Sequence, residues 1–540
     1  MNRKTERGLR SSPRKFRCCI IVTLITLLAI PVLVTLRIQQ IVLKGAADTK
    51  AVSSQSEMSH SLDIKQQDLS SSSLVVATVA LQDTRIFQDA QYMQDSCSQL
   101  MGNSFTSKQQ VCEHVTCWTS SVLRSSNCYL QNVTLVMDHV KVAQGGIAIE
   151  HVLGQDEKDE FPIYSSNAWL FDTSQPPDGS HRHSDAVSKT CTKESFHNSG
   201  VELPHYLNQV TEAIGSAASA ALPSAAASLL SMGSSHASCS YTIMEPTFAI
   251  TRYDYANLFH TMCDWYNFYQ AIQVSDHRNT KIQVLLLDGH PAGNLDETWA
   301  TVFGNTIRIS DLKQQYSNVC FRELYLVGPG YNSPFFPESL PLQHNCFGSI
   351  HIEDFRNSFL LKHGISTSNI LHTNDDTRRK KRKTIRIGYL FRKDYLAHPR
   401  QGSQPKVSRK IRNEQQLLTT IQEYLDERNN IKAILTPLYL ESLTLKQQLQ
   451  QIAKLDILVG MHGAGLSHVL FMESGSVLIE LAPVSHARLE FFEIMAKVNG
   501  VHYIKQTQGI QDDGGGGEYF HIDPNLHIST LQHAMQQLKM

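Results

Sequence analysis

The sequence predicts an α/β protein with two Rossmann-like, doubly wound domains that face a cleft, behind an N-terminal transmembrane helix and a stem. Three observations predict this fold. Strand and helix patterns alternate in two blocks, at residues 241–375 and 384–540, as parallel sheets with crossover helices require. Both blocks contain short apolar runs typical of buried parallel strands. The second block also contains ILVGMHGAGLSH from Ile457, a strand that runs into a glycine-rich turn.

The N-terminus carries the signal for membrane insertion. Basic residues crowd positions 1–17, and residues 18–36 form an uncharged run. About 20 apolar residues span a bilayer as a helix, and the positively charged flank stays cytoplasmic. We therefore expect a cytoplasmic tail at 1–17, a transmembrane signal anchor at 18–36 and a lumenal remainder. A cleaved signal peptide is the alternative interpretation.

The chain has 540 residues, is 41% hydrophobic and has a net charge of −1. This length suits two or three domains with full cores, and a neutral balance argues against a nucleic-acid binder. Residues 37–90, rich in Ser, Gln and Asp, predict a flexible stem. The Ala/Ser-rich stretch at 213–238 predicts an inserted surface loop, with a poor helix as the alternative.

Nine cysteines follow the stem, and an oxidising lumen would pair most of them. Their odd number leaves at least one thiol free or in an intermolecular bond. The cysteines are Cys97, Cys112, Cys117, Cys128, Cys191, Cys239, Cys263, Cys320 and Cys346. Their spacings do not match a zinc site. Asn132-Val-Thr134 is an N-glycosylation acceptor if this side is lumenal.

The elements of the two blocks follow from hydrophobic periodicity and from helix caps. In the first block we expect strands at 282–287 and 324–327 and a helix at 354–363 with Gly364 as its C-terminal cap. The basic run at 378–383 predicts either a solvated interdomain loop or a phosphate site. In the second block we expect strands at 384–391, 431–435, 457–459 and from 477, helices at 413–426, 445–453, from about 466 and at 489–498, and a loop at 512–517.

The turn His462-Gly463-Ala464-Gly465 is the first candidate binding element. Its glycines allow backbone amides to approach an anion, most simply a diphosphate, at the start of the next helix. The pattern is neither G-x-G-x-x-G nor a P-loop. A turn that needs glycine only for packing is the alternative. The sequence has no D-x-D, so the usual carboxylates of a metal-clamped diphosphate are missing and we expect no metal requirement.

Three arginines follow the 384 strand: Arg392, Arg409 and Arg412. Parallel sheets bind ligands beyond the carboxyl ends of their strands, and guanidinium groups suit phosphate oxygens. Asp288 and Glu297 follow the 282 strand in the same way and are candidates to contact an acceptor.

Asn257, His260 and Asp264 are the candidate catalytic group. His260 and Asp264 are four residues apart and Asn257 is three residues earlier, so we expect all three on one helix face. A His–Asp pair supplies a general base for a hydroxyl group. A polar face that is solvated or hydrogen-bonded internally is the alternative.

Several segments resemble glycosyltransferase family 61, and within it the plant-type β-1,2-xylosyltransferases that modify the N-glycan core. They occur in the family's order: TRYDYANLFHTMCDWY, LLLDGHPAGNLDETW, FRKDYLAHPRQG, SRKIRNE and GMHGAGLSH. The resemblance implies a single-pass type II Golgi enzyme of the GT-B fold. It implies an acceptor-side domain at 91–375 and a nucleotide-sugar domain at 384–540.

The resemblance also implies roles for single residues. Arg392 and Arg409 are similar to donor-phosphate ligands, the 462–465 turn is similar to the nucleotide-sugar turn, and Glu480 is similar to a position near the nucleotide. Asn257, His260 and Asp264 are similar to the N-x-x-H-x-x-x-D signature that faces the cleft.

The implied donor is UDP-xylose, and the implied acceptor is O2 of the core β-mannose of an N-glycan on a glycoprotein. An α-linked donor and a β-linked product require inversion, with Asp264 or His260 as the base and Asp264 preferred. No cofactor is implied. The alternatives are transfer of N-acetylglucosamine from UDP to a protein, transfer of a pentose to a polysaccharide, or an inactive glycan-binding relative.

Overall fold

The structure is a computed structural model that describes residues 101, 105, 107–121, 123–142, 157–171, 191, 194–196, 205–216, 238–275, 277–337, 346–366, 384–396, 406–428 and 432–538. The predicted tail, transmembrane anchor and stem, most of the Ala/Ser-rich insert and the basic run at 378–383 lie outside these residues. Within the described ranges, no helix has the length and apolar character needed to cross a membrane.

The N-terminal half is built on a mixed sheet. Its strands in chain order are β1 (Ser107–Cys112), β2 (Val115–Ser120), β3 (Ser125–Val136), β4 (Val140–Lys141), β5 (Ile163–Tyr164), β6 (Trp169–Phe171), β7 (Ile214–Ser216), β8 (Tyr241–Ile243), β9 (Thr247–Ile250), β10 (Gln283–Leu286), β11 (Asn305–Arg308) and β12 (Asn318–Leu326). The described strands pair in the order β1-β2-β3-β12-β9-β10-β11, with β6 beside β3, β7 beside β6 and β8 beside β12. The β4 and β5 strands form a separate pair.

Only part of this sheet has the predicted parallel arrangement. The β9 strand is parallel to β10 and β12, and β10 is parallel to β11. The β1, β2 and β3 strands are antiparallel to one another, and β3 is antiparallel to β12. The strands of the 241–375 block are therefore parallel to one another as predicted, and the antiparallel strands β1, β2 and β3 precede that block. Short turns join β1, β2 and β3, and such turns can close only antiparallel pairs.

The helices of this half cover the sheet and lead toward the second half. They are α1 (His205–Glu212), α2 (Leu258–Val274), α3 (Asp296–Val302), α4 (Ile309–Gln315) and α5 (Ile350–Lys362). The α2 helix follows the carboxyl end of β9, as a crossover helix does. The predicted end of α5 is confirmed, because Gly364 lies just past its last turn with φ +70°, a conformation that glycine adopts without strain.

The C-terminal half contains the predicted parallel sheet. Its strands are β13 (Thr384–Leu390), β14 (Lys410–Ile411), β15 (Lys432–Leu438), β16 (Ile457–Met461), β17 (Val477–Leu481), β18 (His502–Gln506), β19 (Ile510–Asp512) and β20 (Tyr519–Ile522). Its α-helices are α6 (Glu414–Asp426), α7 (Leu445–Ile452), α8 (Phe491–Val498) and α9 (Pro524–Gln537). These bounds confirm the strands and α-helices expected near residues 384, 413, 431, 445, 457, 477 and 489.

Five of these strands form one sheet in the order β15-β13-β16-β17-β18, with every neighbouring pair parallel. Counted within the sheet, this is the doubly wound order 2-1-3-4-5. In this order the connections leave β13 and β16 in opposite directions. A crevice therefore opens between the carboxyl ends of β13 and β16, where such sheets bind ligands.

The helix expected from residue 466 is a 3₁₀-helix at Ala464–Phe471 rather than an α-helix. Leu466, Val469 and Phe471 are all buried in it. The segment is wedged between β16, α2, α5, α7 and α8. Its tighter winding follows from this packing, which a sequence pattern does not contain.

One hydrophobic cluster spans the two halves, and each half has a further cluster of its own. The Trp265 ring on α2 lies 5.2 Å from Phe359 on α5, and Phe359 lies 4.9 Å from Phe471 on the 3₁₀-helix. A single cluster of buried side chains runs from Phe248 on β9 to Leu458 on β16. The α5 helix therefore joins the halves through apolar contacts.

The prediction for the cysteines is confirmed in the described residues. Disulfides join Cys112 to Cys191, Cys117 to Cys128 and Cys239 to Cys320, Cys346 is also in a disulfide, and the buried Cys263 is a free thiol. Cys97 lies outside the described residues. The Cys117–Cys128 bond fastens β2 to β3, so it stabilises the antiparallel part of the N-terminal sheet.

Candidate functional site

The crevice of the C-terminal sheet holds most of the predicted ligand-binding residues. Arg392 lies two residues after β13, and His462 directly follows β16. Arg409 reaches the same place from the residue before β14. Sequence-distant residues thus meet at the edge where a doubly wound sheet binds its ligand.

Arg392 and Arg409 are half-buried and repel each other. Burial, followed by the nearby Arg409 charge, lowers the pKa of Arg392 to about 10. The Nη1 atom of Arg392 and the Nε atom of Arg409 are buried without a hydrogen-bond partner. No described Asp or Glu forms an ion pair with either guanidinium. Two partly desolvated cations with unused donors form a site for a polyanion.

Arg409 has a backbone conformation that is rare for a residue with a side chain. Its φ is +60°, in the left-handed region that costs a non-glycine residue roughly 1–2 kcal/mol. Its amide donates to the Gly517 carbonyl at 3.0 Å. Strained backbone that the surroundings hold in place is characteristic of ligand-binding positions.

Gly463 is required for the approach of Arg392. A Cβ atom at position 463 would lie 2.9 Å from Nη1 and 3.3 Å from Cζ of Arg392. The φ of Gly463 is 160°, which is extended backbone, so space rather than backbone strain demands glycine here. The backbone of the predicted turn therefore lies directly against the Arg392 guanidinium.

A buried carboxylate orients His462. The His462 Nδ1 donates to Oε1 of Glu480 at 2.5 Å, and the Tyr503 hydroxyl donates to Oε2 of Glu480 at 2.5 Å. Glu480 is fully buried at the end of β17. This pairing fixes the tautomer and ring orientation of His462 and leaves its Nε2 for a ligand.

The structure adds a residue that the sequence reasoning missed. The Arg409 Nη1 donates to Nε2 of His486 at 2.6 Å, and the His486 ring lies 4.8 Å from the His462 ring. Burial and the Arg409 charge lower the pKa of His486 to about 4. Its Nδ1 therefore carries the ring proton and donates to Ser485 Oγ at 2.8 Å. The one sequence signal was its position just after the carboxyl end of β17.

The opposite wall of the site is formed by α2. Asn257 is the N-terminal cap of α2, where its side-chain oxygen accepts from the Phe259 amide at 3.0 Å. This corrects the expectation that Asn257 shares the helix face of His260. His260 is half-buried, and its Nδ1 has no partner. Burial lowers the pKa of His260, so the ring is neutral and able to accept a proton.

Asp264 does not form the predicted pair with His260. Its exposed fraction is 0%, and its Oδ1 accepts from the Gly330 amide at 2.8 Å. Burial raises the pKa of Asp264 well above its usual range. A group enclosed in this way anchors the 3₁₀ turn at Gly330–Asn332 and is out of reach of a substrate hydroxyl. The base stays a prediction, and the burial of Asp264 favours His260 over Asp264 for this role.

Three other predicted residues are exposed or are paired with other side chains. Asp288 is fully buried in a bidentate ion pair with Arg252 at 2.7 Å, so its carboxylate is not available to an acceptor. Glu297 is exposed on α3. Arg412 is exposed, pairs with Asp513 at 2.9 Å and stacks on Tyr519, which separates it from the other two arginines. No contact in the structure supports the ligand roles predicted for these three residues.

The predicted glycosylation acceptor lies within a paired strand. Asn132 is in the middle of β3 with φ +50° and is half-buried, and Thr134 is buried. Attachment of a glycan there stays a prediction.

Among the described residues, no group of three or more His, Cys, Asp or Glu side chains is positioned to hold a metal ion. The expectation of a metal-free site also stays a prediction.

Aromatic contacts join the two walls. The Phe259 ring, next to His260, lies 5.0 Å from Phe491 and 6.0 Å from Phe492 on α8. The Phe492 ring lies 5.0 Å from His462. Two ring contacts thus connect α2 to the turn that approaches Arg392. They place His260, next to Phe259, in the same region of the fold as the cationic crevice.

Comparison with known proteins agrees with this geometry. The family model Glycosyltransferase 61 matches residues 225–479, a range that includes α2, Arg392, Arg409 and the 462–465 turn. Residues 225–479 therefore carry a glycosyltransferase 61 domain. The chain is a glycosyltransferase, and the cationic crevice and the half-buried histidine lie in the matched region.

Two proteins that are similar to this chain are named as transferases of different sugars. A β-1,2-xylosyltransferase of Arabidopsis thaliana is 26% identical over 449 residues, covering 76% of this chain and 80% of the relative. An EGF domain-specific O-linked N-acetylglucosamine transferase of Drosophila melanogaster is 25% identical over 301 residues, covering 52% of this chain and 51% of the relative. Among solved structures, the E. coli ADP-heptose LPS heptosyltransferase II is 9% identical at a TM-score of 0.28, covering 55% of this chain and 100% of that chain. That score is too low to support any statement about this chain.

Proposed function

We propose that this family 61 member is an inverting β-1,2-xylosyltransferase that moves xylose from UDP-xylose to O2 of the core β-mannose of N-glycans. The observation that carries the proposal is the crevice of the parallel sheet. Two mutually repelling arginines with unused donors lie there against a glycine turn and an oriented histidine. A β-1,2-xylosyltransferase matched over 76% of this chain supports the choice of sugar and linkage.

The diphosphate of the donor binds Arg392 and Arg409. The Nη1 of Arg392 and the Nε of Arg409 supply donors that lack partners. The oriented His462 adds Nε2 to the same pocket. As the bond between xylose C1 and the β-phosphate oxygen breaks, negative charge grows on the departing UDP. Fixed cations at that position stabilise the transition state more than the ground state.

The acceptor hydroxyl is activated from the opposite wall. His260 takes the proton from O2 of the mannose, O2 attacks C1 of xylose, and UDP leaves from the other face. One displacement of this kind inverts an α-linked donor to a β-linked product. A neutral, partly exposed imidazole suits this role, because a general base must be unprotonated when the hydroxyl arrives.

The remaining expectations belong to the same proposal. Cations of the protein occupy the place where a metal ion would neutralise the diphosphate, so transfer proceeds without metal.

Residues 18–36 anchor the chain as a single-pass type II protein in the Golgi membrane, with the site in the lumen and N-glycans of glycoproteins as acceptors. The disulfides support a lumenal location, since disulfides persist in oxidising compartments.

A second candidate is transfer of N-acetylglucosamine from UDP to a protein. The similarity to the EGF domain-specific transferase over 52% of the chain favours it. Both candidates use the same diphosphate site, so the arginines do not distinguish between them. The sugar and the acceptor have to be determined by experiment.

The test uses the purified full-length chain in detergent with a panel of UDP-sugars, with and without a chelator. One acceptor is a biantennary N-glycan with terminal N-acetylglucosamine, and the other is a folded EGF domain. Mass spectrometry measures the product. A gain of one pentose on the N-glycan from UDP-xylose, unchanged by the chelator, supports the proposal. A gain of N-acetylhexosamine on the EGF domain would instead support the second candidate, and loss of pentose transfer with the chelator would contradict metal-free catalysis.

A further inference from the structure

Lys410 is a buried cation next to the donor site. Its exposed fraction is 3%. Its Nζ donates to both carboxylate oxygens of Asp394 at 2.7 Å and to Oε1 of Glu518 at 3.2 Å, and it lies 4.3 Å from the centroid of the Tyr519 ring. A lysine enclosed in this way is held in one position, unlike a solvated surface lysine.

The ion pair joins the two segments that carry the site arginines. Asp394 lies two residues after Arg392, and Lys410 directly follows Arg409. The Asp394 Oδ1 also accepts from the Val407 amide at 2.9 Å, two residues before Arg409. Asp394 therefore accepts hydrogen bonds from residues before and after Arg409, namely Val407 and Lys410.

The two arginines need such a restraint. They repel each other and have no described carboxylate as an ion-pair partner. The backbone of Arg409 is held in its left-handed conformation by Arg409 N donating to Gly517 O at 3.0 Å and Lys410 N donating to Glu518 O at 2.8 Å. These bonds fix the strand that carries Arg409, but they do not connect it to the segment of Arg392. The Asp394–Lys410 pair makes that connection.

We propose that Asp394 and Lys410 form a clamp that holds Arg392 and Arg409 at the separation a donor diphosphate requires. Lys410 is then a positioning residue, because it acts on the donor through the two arginines. The inference rests on the proposed donor site, and it explains how two like charges are held together before the anion arrives. A preorganised site of this kind does not have to order its cations during binding.

The chain offers a matched control. Lys406 also pairs with Glu518, at 2.6 Å through Oε2, and its side chain is 70% exposed. Replacing Lys406 removes one positive charge and one ion pair from the same region while both Asp394–Lys410 bonds remain. A difference between Lys406→Met and Lys410→Met therefore reports the clamp rather than the general charge of this surface.

The experiment measures UDP binding by calorimetry, KM for the UDP-sugar and kcat, with the Tm of each full-length variant. Lys410→Met and Asp394→Asn are expected to raise the Kd of UDP and the donor KM about tenfold, with kcat changed less than threefold. Lys406→Met is expected to leave all three values unchanged. The double variant is expected to bind UDP no more weakly than either single variant, because both remove the same clamp.

A lower Tm with an unchanged Kd for UDP in both single variants would overturn the clamp and leave Lys410 a purely structural lysine. If the double variant raises the Kd of UDP by the product of the two single effects, the clamp is overturned as well. If Lys410→Met does not fold, Asp394→Asn decides alone, since its carboxyl is 45% exposed and the substitution preserves its shape. Arg409→Lys separates the two proposals. If it leaves UDP binding unchanged, the donor site itself fails, and if it weakens binding while Asp394→Asn does not, only the clamp fails.

Discussion

His260 and Asp264 are one helical turn apart, yet their surroundings give them different chemistry. The His260 ring is half-buried, although its Nδ1 is itself buried without a hydrogen-bond partner, whereas Asp264 is fully buried and anchors the Gly330 amide. A general base has to reach the hydroxyl that it deprotonates. The difference in exposure therefore favours His260 as the general base, although the helical spacing alone does not distinguish it from Asp264.

We expect His260→Gln to lower kcat at least a hundredfold, the usual scale for a lost general base, while the Kd of UDP stays unchanged. Asp264→Asn keeps an oxygen for the Gly330 amide and is expected to retain transfer within a few-fold. Mass-spectrometric transfer rates and calorimetric UDP binding measure both variants. Loss of transfer in Asp264→Asn at normal stability and UDP affinity would restore Asp264 as the base.

Gly463→Ala tests the contact between the turn and Arg392. The added methyl group would lie 2.9 Å from Arg392 Nη1, the mobile end of a long side chain, so the guanidinium can move away and folding is little affected. Its displacement is expected to raise the donor KM between about tenfold and a hundredfold with Tm nearly constant.

Gly516→Ala is the control for this change, since a Cβ atom there meets nothing within 4 Å. Equal donor KM values for the two variants would show that the turn does not constrain Arg392.

The residues of the site differ in how far the sequence could reveal them. Arg392, Arg409 and His462 follow strands or sit in a glycine turn, so local patterns were enough to find them. His486 and Tyr503 meet the site only when β17 and β18 lie beside β16, and no local pattern encodes that. The burial of Asp264 was missed because α2 is enclosed on nearly all sides, so a polar spacing on this helix does not mark an exposed face.

At the scale of elements, α9 is fixed to the parallel sheet by a buried histidine. The Tyr389 hydroxyl on β13 donates to Nε2 of His527, and Nδ1 of His527 donates to Oε1 of Gln506 on β18 at 2.7 Å. The bond from Tyr389 requires the neutral ring, because only an unprotonated Nε2 can accept it. Burial lowers the pKa of His527 to about 4, so protonation of this ring opposes the docking of α9.

This geometry predicts a pH dependence of stability. The unfolded chain protonates this histidine below about pH 6.5, whereas the folded protein resists until about pH 4. The unfolded state therefore binds more protons in this window, and stability falls as the pH falls from 6.5 to 4, by up to about 3 kcal/mol from this group. Above pH 6.5 the contribution is fully present.

Urea unfolding at pH 7.5 and pH 4.5 measures the effect. His527→Gln is expected to be less stable at pH 7.5 but to lose less stability on acidification than the unmodified chain. His533→Gln, on the exposed side of the same helix, is expected to keep the full pH dependence. If His527→Gln and the unmodified chain lose the same stability, the pH dependence does not come from this histidine.

Elements whose form depends on local periodicity were predictable, and elements whose form depends on distant packing were not. The strands of the C-terminal sheet are apolar runs ended by turns, and their bounds agree with the sequence. The antiparallel pairing of β3 with β12, residues nearly two hundred positions away, depends on a contact that no local pattern contains. The 3₁₀ winding of Ala464–Phe471 depends on α2 and α5 on one side and β16 on the other.

At a larger scale, one of the hydrophobic clusters in the described residues spans both halves. Trp265, Phe359 and Phe471 form a continuous apolar path from α2 to the 3₁₀-helix, and the buried Arg356 donates to the Met472 carbonyl at 2.8 Å. Halves that share a core do not unfold independently, because either one alone would expose the apolar face of the other.

We therefore expect the two halves to unfold in a single calorimetric transition, and UDP to shift the whole transition upward. Phe359→Ala, which removes the ring between the halves, is expected to lower Tm by an amount equivalent to about 3–5 kcal/mol. Two separate transitions in the unmodified protein, with only the second shifted by UDP, would contradict a common core.

The shared core has a consequence for how new specificities can arise in such an enzyme. Recombining the acceptor-side half of one family member with the donor-side half of another would join surfaces whose aromatic side chains have not been matched, at Phe359 against Phe471 and at Phe259 against Phe491. Chimaeras cut between residues 366 and 384 should therefore fold only when α5 is inherited together with the segment at 464–472. A new acceptor is more readily gained by changing loops around His260 than by exchanging whole halves.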